Sequence, residues 1–301
     1  MQMDWVLVAV SAVDGARLSA LVASAARAAG IVAGEWASLS DSASLNAGFM
    51  PFTATGEAAQ QLRRNVKEAT LSDMAILPAA RFGRKRLLIS DMDSTIIGQE
   101  CIDEIADAVG LKAKISEITE RAMRGELDFE AALTERVAML KGLPLGALAR
   151  TLEERITLNP GARTLIATMK AHGARTLLVS GGFTYFTSRV ADLAGFESHQ
   201  GNTLIDDGAA LTGEVGRPIL GREAKRTALL EAAAALGASA DDTLAMGDGA
   251  NDLDMIRASG LGVAYRAKPV VAAEAAGSIR HTDLTAALFF QGYKASEFVL
   301  G

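Results

Sequence analysis

Short apolar segments that alternate with helical patterns from residue 86 onwards constrain the fold of this chain more than any other feature. The apolar segments span residues 86–90, 174–180, 242–246 and 260–265. Between the later segments, apolar residues recur at helical spacing over residues 162–172, 185–194 and 223–236. Strands that are apolar on both faces and alternate with helices form a parallel sheet with helices on either side. The pattern therefore predicts an α/β domain over residues 84–301.

One interval interrupts this alternation, because residues from about 99 to 156 contain only helical patterns. These patterns span residues 100–109, 112–123, 128–140 and 144–155. A helical insert after the first strand would lie over the carboxyl ends of the strands, where it could select a substrate and exclude water. We predict a helical cap over residues 99–156.

The first 80 residues have a different pattern, with strands and helices in the order βαββαβ. The predicted strands span residues 5–10, 31–38, 44–52 and 74–77, with helices over 16–29 and 56–70 and a turn at 40–42. This order is typical of the α+β ferredoxin-like plan and resembles an ACT domain. No cluster of reactive residues lies here. Binding an amino acid, pairing two subunits in a homodimer and covering the sheet all remain open as its role.

Composition and charge exclude several classes of protein. Cys101 is the single cysteine, which excludes a disulfide scaffold, and we interpret it as a small buried apolar residue. A zinc site would have to recruit three widely separated histidines, His172, His199 and His281. The 30 basic and 36 acidic residues give a net charge of −6, which disfavours a broad nucleic-acid surface.

Targeting signals and basic runs add two further expectations. No apolar run reaches the ~18 residues of a membrane helix, and the apolar N-terminus follows Asp4 without any Lys or Arg. An export signal would carry such a basic region, so we predict a cytoplasmic protein. The basic run over residues 81–86 is interpreted as a solvated linker, with a phosphate or nucleic-acid patch as the alternative.

Unusual polar residues follow the first three strands of the predicted sheet. Asp91-Met92-Asp93-Ser94-Thr95 follows the first, Ser180-Gly181-Gly182 the second, and Gly247-Asp248-Gly249-Ala250-Asn251-Asp252 the third. Lys225 lies on the helix before the third strand. Since the carboxyl ends of parallel strands meet at one side of a sheet, we expect these groups to converge. Each motif alone has a simpler explanation, namely a turn, a helix cap, a solvated lysine or, for the glycine-rich acidic loop, a calcium-like loop, but their order together indicates a site.

The chemistry of these groups is mutually consistent. The carboxylates of Asp91, Asp93, Asp248 and Asp252 would repel one another unless a hard cation such as Mg²⁺ compensated them. Hydroxyl, backbone N–H and lysine donors would bind a phosphoryl group. An aspartate can attack phosphorus, and a second one can donate and then accept a proton. Asp91 and Asp93 fit these two tasks, because alternate residues point to the same side while Met92 points away.

These four motifs together resemble those of the haloacid-dehalogenase (HAD) superfamily, and over residues 84–290 the chain resembles its phosphoserine phosphatase family. The resemblance implies a Rossmann-like HAD core and hydrolysis of O-phospho-L-serine. It implies Asp91 as nucleophile, Asp93 as acid and base, and Ser180 and Lys225 as further catalytic groups. It implies Mg²⁺ held by the Asp91 and Asp248 side chains and the Asp93 carbonyl. The groups implied around the phosphate are Ser180, Gly181, Lys225 and Asn251.

The resemblance extends to four residues of the predicted cap: Glu100, Met123, Phe129 and Arg136. Phosphoserine carries an ammonium and a carboxylate besides its phosphate. Glu100 and Arg136 would bind these two groups, since a guanidinium binds a carboxylate through two hydrogen bonds. Met123 and Phe129 would close the apolar side. Solvated helix charges and cap core are the alternatives.

Other functions remain as alternatives at this stage. A phosphatase for another small phosphomonoester is the nearest. A phospho-accepting receiver module uses similar groups but needs neither a cap nor Asp93. A serine hydrolase would need the G-x-S-x-G turn, which Ser180 lacks, and an ion-pumping ATPase would need membrane spans. We expect a small-molecule substrate, with neither nucleic acid nor membrane as partner.

Overall fold

The computed structural model describes residues 1–42, 45–69, 71–123 and 128–301. Its N-terminal elements are β1 (Gln2–Ser11), α1 (Gly15–Ala28), β2 (Ala37–Asp41), β3 (Asn46–Thr55), α2 (Gly56–Ala69) and β4 (Asp73–Pro78). The strands lie in the order β2-β3-β1-β4, and each pair of neighbours is antiparallel. This is the ferredoxin-like arrangement that the sequence predicts, whereas the ACT-like assignment stays a prediction.

The predicted strand over residues 31–38 is wrong in position. Strand β2 begins only at Ala37 and continues to Asp41, through residues that were expected to form a turn. The preceding segment carries the buried Ile31 and makes an isolated bridge between Ala33 and Phe52. The apolar residues of this segment therefore pack beside the sheet and do not form one of its strands. The strand expected from residue 44 begins at Asn46, and Ser44 lies outside the described residues.

The remaining elements alternate much as the sequence predicts. Strand β5 (Leu87–Ser90) is followed by the helices of the cap interval: α3 (Cys101–Ala108), α4 (Lys112–Met123), α5 (Phe129–Ala138) and α6 (Leu145–Arg155). Then come α7 (Ala162–Ala171), β6 (Arg175–Phe183), α8 (Thr184–Ala194), β7 (Ser198–Asn202), β8 (Leu204–Asp206), β9 (Leu211–Val215) and α9 (Arg222–Ala235). The last are β10 (Thr243–Gly247), α10 (Leu253–Ala258), β11 (Leu261–Tyr265), α11 (Pro269–Glu274), β12 (Gly277–Ile279) and α12 (Ala286–Phe289).

The central sheet is parallel and is covered on both faces. Strands β12, β11, β10, β5, β6 and β7 are neighbours in this order, and each pair is parallel. Leu88 packs in the cluster that contains Leu165 of α7 and Phe186 of α8. The next residue, Ile89, packs with Leu229 of α9 and Met255 of α10. The period of two expected for a strand thus places one β5 residue on each face.

The N-terminal strands continue this sheet, because β4 pairs antiparallel with β12. One face of β1, including Val6 and Val8, packs in the same apolar cluster as Phe289 of α12. The other face, including Leu7, packs in a cluster with Leu62 of α2. Ten of the twelve described strands therefore form one sheet, and β8 and β9 pair with each other separately.

Three of the four cations in the basic run over residues 81–86 are exposed, as expected of a solvated linker, but Lys85 is buried. Lys85 is only 6 % exposed, and its Nζ donates to the carbonyl oxygens of Arg81 (2.7 Å) and Asp241 (2.8 Å). The Arg86 guanidinium donates to the last carbonyls around helix α9, at Leu236 and Gly237. Such donors satisfy helix-end carbonyls and complement the helix dipole. The run therefore anchors the start of β5 to the core.

Two sets of contacts hold the helices over residues 99–156 in place. Ile97 and Leu158 form a bridge where the chain enters and leaves it, and Asn159 Nδ2 donates to the Thr95 carbonyl (2.8 Å). The β8–β9 hairpin contacts helix α5, and backbone hydrogen bonds join Leu211 to Gly142 and Leu143. Within the described parts of the chain, every helix is too short or too polar to cross a membrane.

Candidate active site

The polar residues after the strands meet at one cavity, as the parallel sheet requires. Strands β10, β5 and β6 lie side by side, and the Asp91 N–H donates to the Met246 carbonyl of β10 (2.9 Å). The cavity has a volume of about 480 Å³. Predicted site residues that line it are Asp91, Asp93, Glu100, Phe129, Arg136, Ser180, Gly181, Asp248 and Asn251. Residues of the loops after the strands and residues of the cap therefore line the same cavity.

Asp91 follows β5 and is buried, and one of its two carboxylate oxygens accepts hydrogen bonds. Oδ1 accepts hydrogen bonds from the Met92 N–H (2.8 Å) and from Lys225 Nζ (2.8 Å). Among the described contacts, Oδ2 has no hydrogen-bond partner. Met92 itself is fully buried in the core, as the alternation of the two aspartates predicts. Burial, with the charge of Asp252, raises the pKa of Asp91 well above its ordinary value.

Lys225 lies behind this carboxylate and does not line the cavity. It is 1 % exposed, and its Nζ contacts Asp91 and also Asp252 Oδ1 (2.7 Å). Although burial lowers it, the pKa of Lys225 is raised above its ordinary value by these two carboxylates. Asp252 Oδ2 accepts the N–H groups of Asp248 (3.1 Å) and Gly249 (3.0 Å). The lysine and Asp252 thus position both the Asp91 carboxylate and the Asp248 loop.

Asp93 is held by groups from two other segments. Its Oδ1 accepts the Cys101 N–H at the start of α3 (2.9 Å), and its Oδ2 accepts Ser180 Oγ (3.2 Å). Ser180 Oγ in turn accepts the Gly182 N–H (2.8 Å). Burial raises the pKa of Asp93, which suits a carboxyl that must carry a proton. Cys101 is buried, as predicted, and its backbone N–H contacts Asp93.

The carboxylates beside Asp91 have the chemistry of a cation site. Oxygen atoms of Asp91, Asp248 and Asp252 lie within 4.8 Å of one another. Burial, together with the charge of Asp252, raises the pKa of Asp248 to about 6. Negative charges this close together favour a bound cation, and oxygen-only ligands favour a hard one. Because Asp252 is already held by Lys225 and two N–H groups, Asp91 and Asp248 offer the freer oxygens.

Three of the predicted cap residues, Glu100, Arg136 and Phe129, line the cavity. Burial and the charge of Asp93 raise the pKa of Glu100 to about 7, and Ser94 Oγ donates to its carboxylate (2.7 Å). Burial lowers the pKa of Arg136, against the opposing charges of Asp103 and Glu100. Met123 ends helix α4, and its side chain lies outside the described part of the chain.

Phe129, the first residue of α5, lies against the end of β6 and against Gly221 before α9. A methyl group added to Gly181 would approach its ring to 3.1 Å, and one added to Gly221 would approach it to 3.4 Å. At Gly182, an added methyl group would lie 2.8 Å from Asp93 Oδ2 and 3.0 Å from Ser180 Oγ. Glycine at residue 182 therefore leaves room for the contact between Asp93 and Ser180.

Comparisons with known proteins agree with this geometry. A model of the haloacid dehalogenase-like hydrolase family matches residues 88–257, which include all four strand-end and lysine motifs. The chain belongs to this family. A phosphoserine phosphatase of Polaromonas sp. is 45 % identical over 212 residues, covering 69 % of this chain and 90 % of that relative.

Solved structures of other haloacid dehalogenase-like hydrolases extend the similarity to nearly the whole chain. A probable phosphoserine phosphatase from Vibrio cholerae is 30 % identical, with a TM-score of 0.76, and the match covers 98 % of this chain and 88 % of that one. A HAD family hydrolase from Salmonella enterica serovar Typhi is also 30 % identical, with a TM-score of 0.82 over 95 % and 98 % of the two chains. The similarity therefore includes the N-terminal strands.

The haloacid dehalogenase-like site also contains residues that the sequence analysis missed. Lys268 lines the cavity from the segment after β11, and its N–H donates to the Asp248 carbonyl (3.1 Å). The strand-end rule that found the other loops could have found this one. Asp103 and Thr119 line the cavity from α3 and α4. Nothing in their helical patterns distinguishes them from solvated cap residues.

Cation binding to this haloacid dehalogenase-like site should be visible in thermal unfolding. We expect saturating Mg²⁺ to raise the melting temperature by several degrees, because 100-fold excess over Kd stabilises a fold by about 2.7 kcal/mol. In the Asp248→Asn variant the shift should fall by more than half. The variant should be at least as stable as the wild type in EDTA, since one repelling charge is gone. A full Mg²⁺ shift in this variant would exclude Asp248 as a ligand.

Proposed function

We propose that the protein hydrolyses O-phospho-L-serine to L-serine and phosphate, the last step of serine biosynthesis, with Mg²⁺ as its cation. One observation carries the proposal: the same cavity is lined by Asp91 and Asp93 and by the oppositely charged Glu100 and Arg136. The first pair is suited to phosphoryl transfer. The second is suited to an ammonium and a carboxylate, which are the groups that distinguish phosphoserine from simpler phosphate esters.

The first step transfers the phosphoryl group to the protein. Asp91 Oδ2, the oxygen without a described partner, attacks phosphorus while the bond from phosphorus to the serine oxygen breaks. The products are an aspartyl-phosphate on Asp91 and serine, whose leaving oxygen takes a proton from Asp93. Lys225, bonded to Oδ1, holds the carboxylate in one orientation during the attack. Ser180, Gly181 and Asn251 surround the phosphate oxygens in this proposal.

Asp93 moves the protons. In the first step its carboxyl protonates the serine alkoxide as it leaves, and the resulting carboxylate then takes a proton from the attacking water. Water breaks the aspartyl-phosphate and regenerates Asp91, so that the two steps together consume one water molecule. The contacts from Cys101 N–H and Ser180 Oγ orient both Asp93 oxygens before substrate binds.

Asp91, Asp248 and the Asp93 carbonyl would hold the Mg²⁺ ion. When bound, it neutralises charge on the phosphoryl oxygens and offsets the repulsion among the carboxylates. The donor set fits this role because side-chain oxygens of Asp91 and Asp248 already lie within 4.8 Å of each other.

A panel of phosphate esters tests the substrate assignment. We expect the protein to release phosphate from phosphoserine at least tenfold more efficiently, in kcat/KM, than from phosphothreonine, phosphoglycolate or phosphohomoserine. Phosphoglycolate lacks the ammonium, and the other two change the length or branching of the ester. Equal efficiencies on all four would overturn the assignment while leaving a general phosphatase, which is the second candidate.

The Arg136→Ala variant tests carboxylate recognition. A hydrogen bond to a charged group contributes about 1.5–3 kcal/mol, so we expect KM for phosphoserine to rise by roughly 10- to 100-fold. Hydrolysis of an aryl phosphate, which has no carboxylate, should change less than about threefold. Arg155→Ala is the matched control, since Arg155 binds Glu104 and Asp107 within the cap. If Arg136→Ala kept the preference for phosphoserine, Arg136 would not be the residue that binds the carboxylate.

The cavity under a helical cap and the haloacid dehalogenase-like family argue against a receiver module.

The cytoplasmic location and the homodimer stay predictions.

A further inference from the structure

A second cavity lies where the N-terminal strands join the central sheet. Its volume is about 400 Å³, within the range of small-molecule sites. Its walls come from α2, from the start of β4, from α11 and from the segment after β12. None of the residues that line it lines the catalytic cavity. Helix α11 separates the two, with Lys268 before it in the catalytic cavity and Pro269 and Ala272 in the second one.

Positive charges dominate this second cavity. Its lining includes Arg63, Arg64, Lys67 and Arg280. The single acidic residue among the described lining residues is Asp73, which is 1 % exposed.

Both oxygens of the Asp73 carboxylate are already used. Oδ1 accepts the N–H groups of Arg280 (2.6 Å) and His281 (2.9 Å), and Oδ2 accepts the N–H of Thr282 (2.8 Å) and its hydroxyl. Asp73 therefore fixes the backbone after β12, and it leaves the arginine and lysine side chains of the cavity without a carboxylate partner among the described ion pairs.

Arg63 carries the strongest sign of an incomplete site. Its guanidinium donates to the carbonyl oxygens of Ala275 (2.7 Å) and Ala276 (2.6 Å), which are neutral acceptors. Its Nε is buried without a hydrogen-bond partner, and so is Oγ of the neighbouring lining residue Ser72. Burial lowers the pKa of this guanidinium, which is the effect of a cation with too little compensation. Buried polar atoms are rarely left unpaired without a reason.

We infer that this cavity is a second binding site, for a small organic or inorganic anion whose charge is a carboxylate or a phosphate. Arg64, Lys67 and Arg280 at its exposed rim supply charge, and Arg63 supplies a guanidinium at its base. The catalytic cavity differs in kind, because Asp91, Asp93, Glu100, Asp103 and Asp248 line it and it needs a cation before it can hold an anion.

The test counts bound anions on the full-length, Mg²⁺-loaded protein by isothermal titration calorimetry. The probes are inorganic phosphate and succinate, up to 10 mM, so that the two arms distinguish phosphate from carboxylate recognition. We expect at least one probe to bind outside the catalytic cavity. For phosphate this appears as a second binding event, and for succinate as binding that does not inhibit hydrolysis.

Two variants and one control identify the site. Arg64→Gln/Arg280→Gln should weaken this binding at least tenfold, with kcat unchanged within twofold. Arg64→Glu alone should weaken it similarly, since the described partner of the Arg64 side chain is Gln61 on its own helix. Arg17→Gln/Arg27→Gln removes two exposed arginines of α1 outside the cavity and should bind as the wild type does. Absence of the extra binding event for both probes, or equal binding in all variants, would overturn the inference.

Discussion

The Asp91→Asn variant is expected to lose at least about 10⁴-fold in kcat for phosphoserine, because an amide oxygen cannot form the aspartyl-phosphate. In other hydrolases, removing a nucleophile that acts together with other catalytic groups lowers kcat by factors of this size. Steady-state phosphate release with the purified variant measures the loss. Activity within tenfold of the wild type would exclude Asp91 as nucleophile.

The same variant should remain folded, and this separates chemistry from stability. Asparagine keeps an oxygen that can accept from Lys225 Nζ and the Met92 N–H, and it removes a negative charge beside Asp252. Its free energy of unfolding in EDTA should equal or exceed that of the wild type. A large loss of stability would mean that the missing activity reports misfolding.

Lys225→Met is expected to lower the free energy of unfolding by about 3 kcal/mol or more, the effect of removing one partner from a buried ion pair. The substitution leaves the carboxylates of Asp91 and Asp252 buried together without the cation that contacts both. Urea unfolding in EDTA, followed by circular dichroism, measures the change. Activity should fall as well, since the orientation of Asp91 depends on this contact.

Arg222→Met is the matched control on the same helix. Arg222 forms a two-bond ion pair with Asp254, but its side chain is 46 % exposed, so water screens the interaction and the expected cost is below about 1 kcal/mol. The double variant Lys225→Met/Asp252→Asn should recover part of the stability lost by Lys225→Met, because it removes one uncompensated charge. Equal losses for Lys225→Met and Arg222→Met would show that the buried cation is not essential to the fold.

The parts of the fold that the sequence predicts are those with strong periodicity or strand-end polarity. Strands such as Leu87–Ser90 and Leu261–Tyr265 are apolar throughout, and the motifs after them follow from the rule for parallel sheets. Strand β7 could not be found this way, because Ser198, His199 and Gln200 are exposed polar residues that pair with β6 at one side of the sheet. Its pairing depends on tertiary contacts alone.

The site was predictable in its loops and less so in its connections. Asp91, Asp93 and Asp248 follow from local pattern. That Lys225 binds Asp91 and Asp252 behind the cavity, and that Cys101 holds Asp93 through its backbone, requires the three-dimensional arrangement. The basic cavity beside Arg63 was equally hidden, since its residues come from α2 and from the segment after β12, more than 200 positions apart.

The pairing of β4 with β12 has a consequence for how the protein responds to damage. The face of β1 that carries Val6 and Val8 is covered by the same cluster that covers the central sheet. Loosening either side therefore removes packing from the other, and the chain should melt as one cooperative unit. A mutation in the first strands, far from Asp91, can then reduce the amount of active enzyme without touching its chemistry.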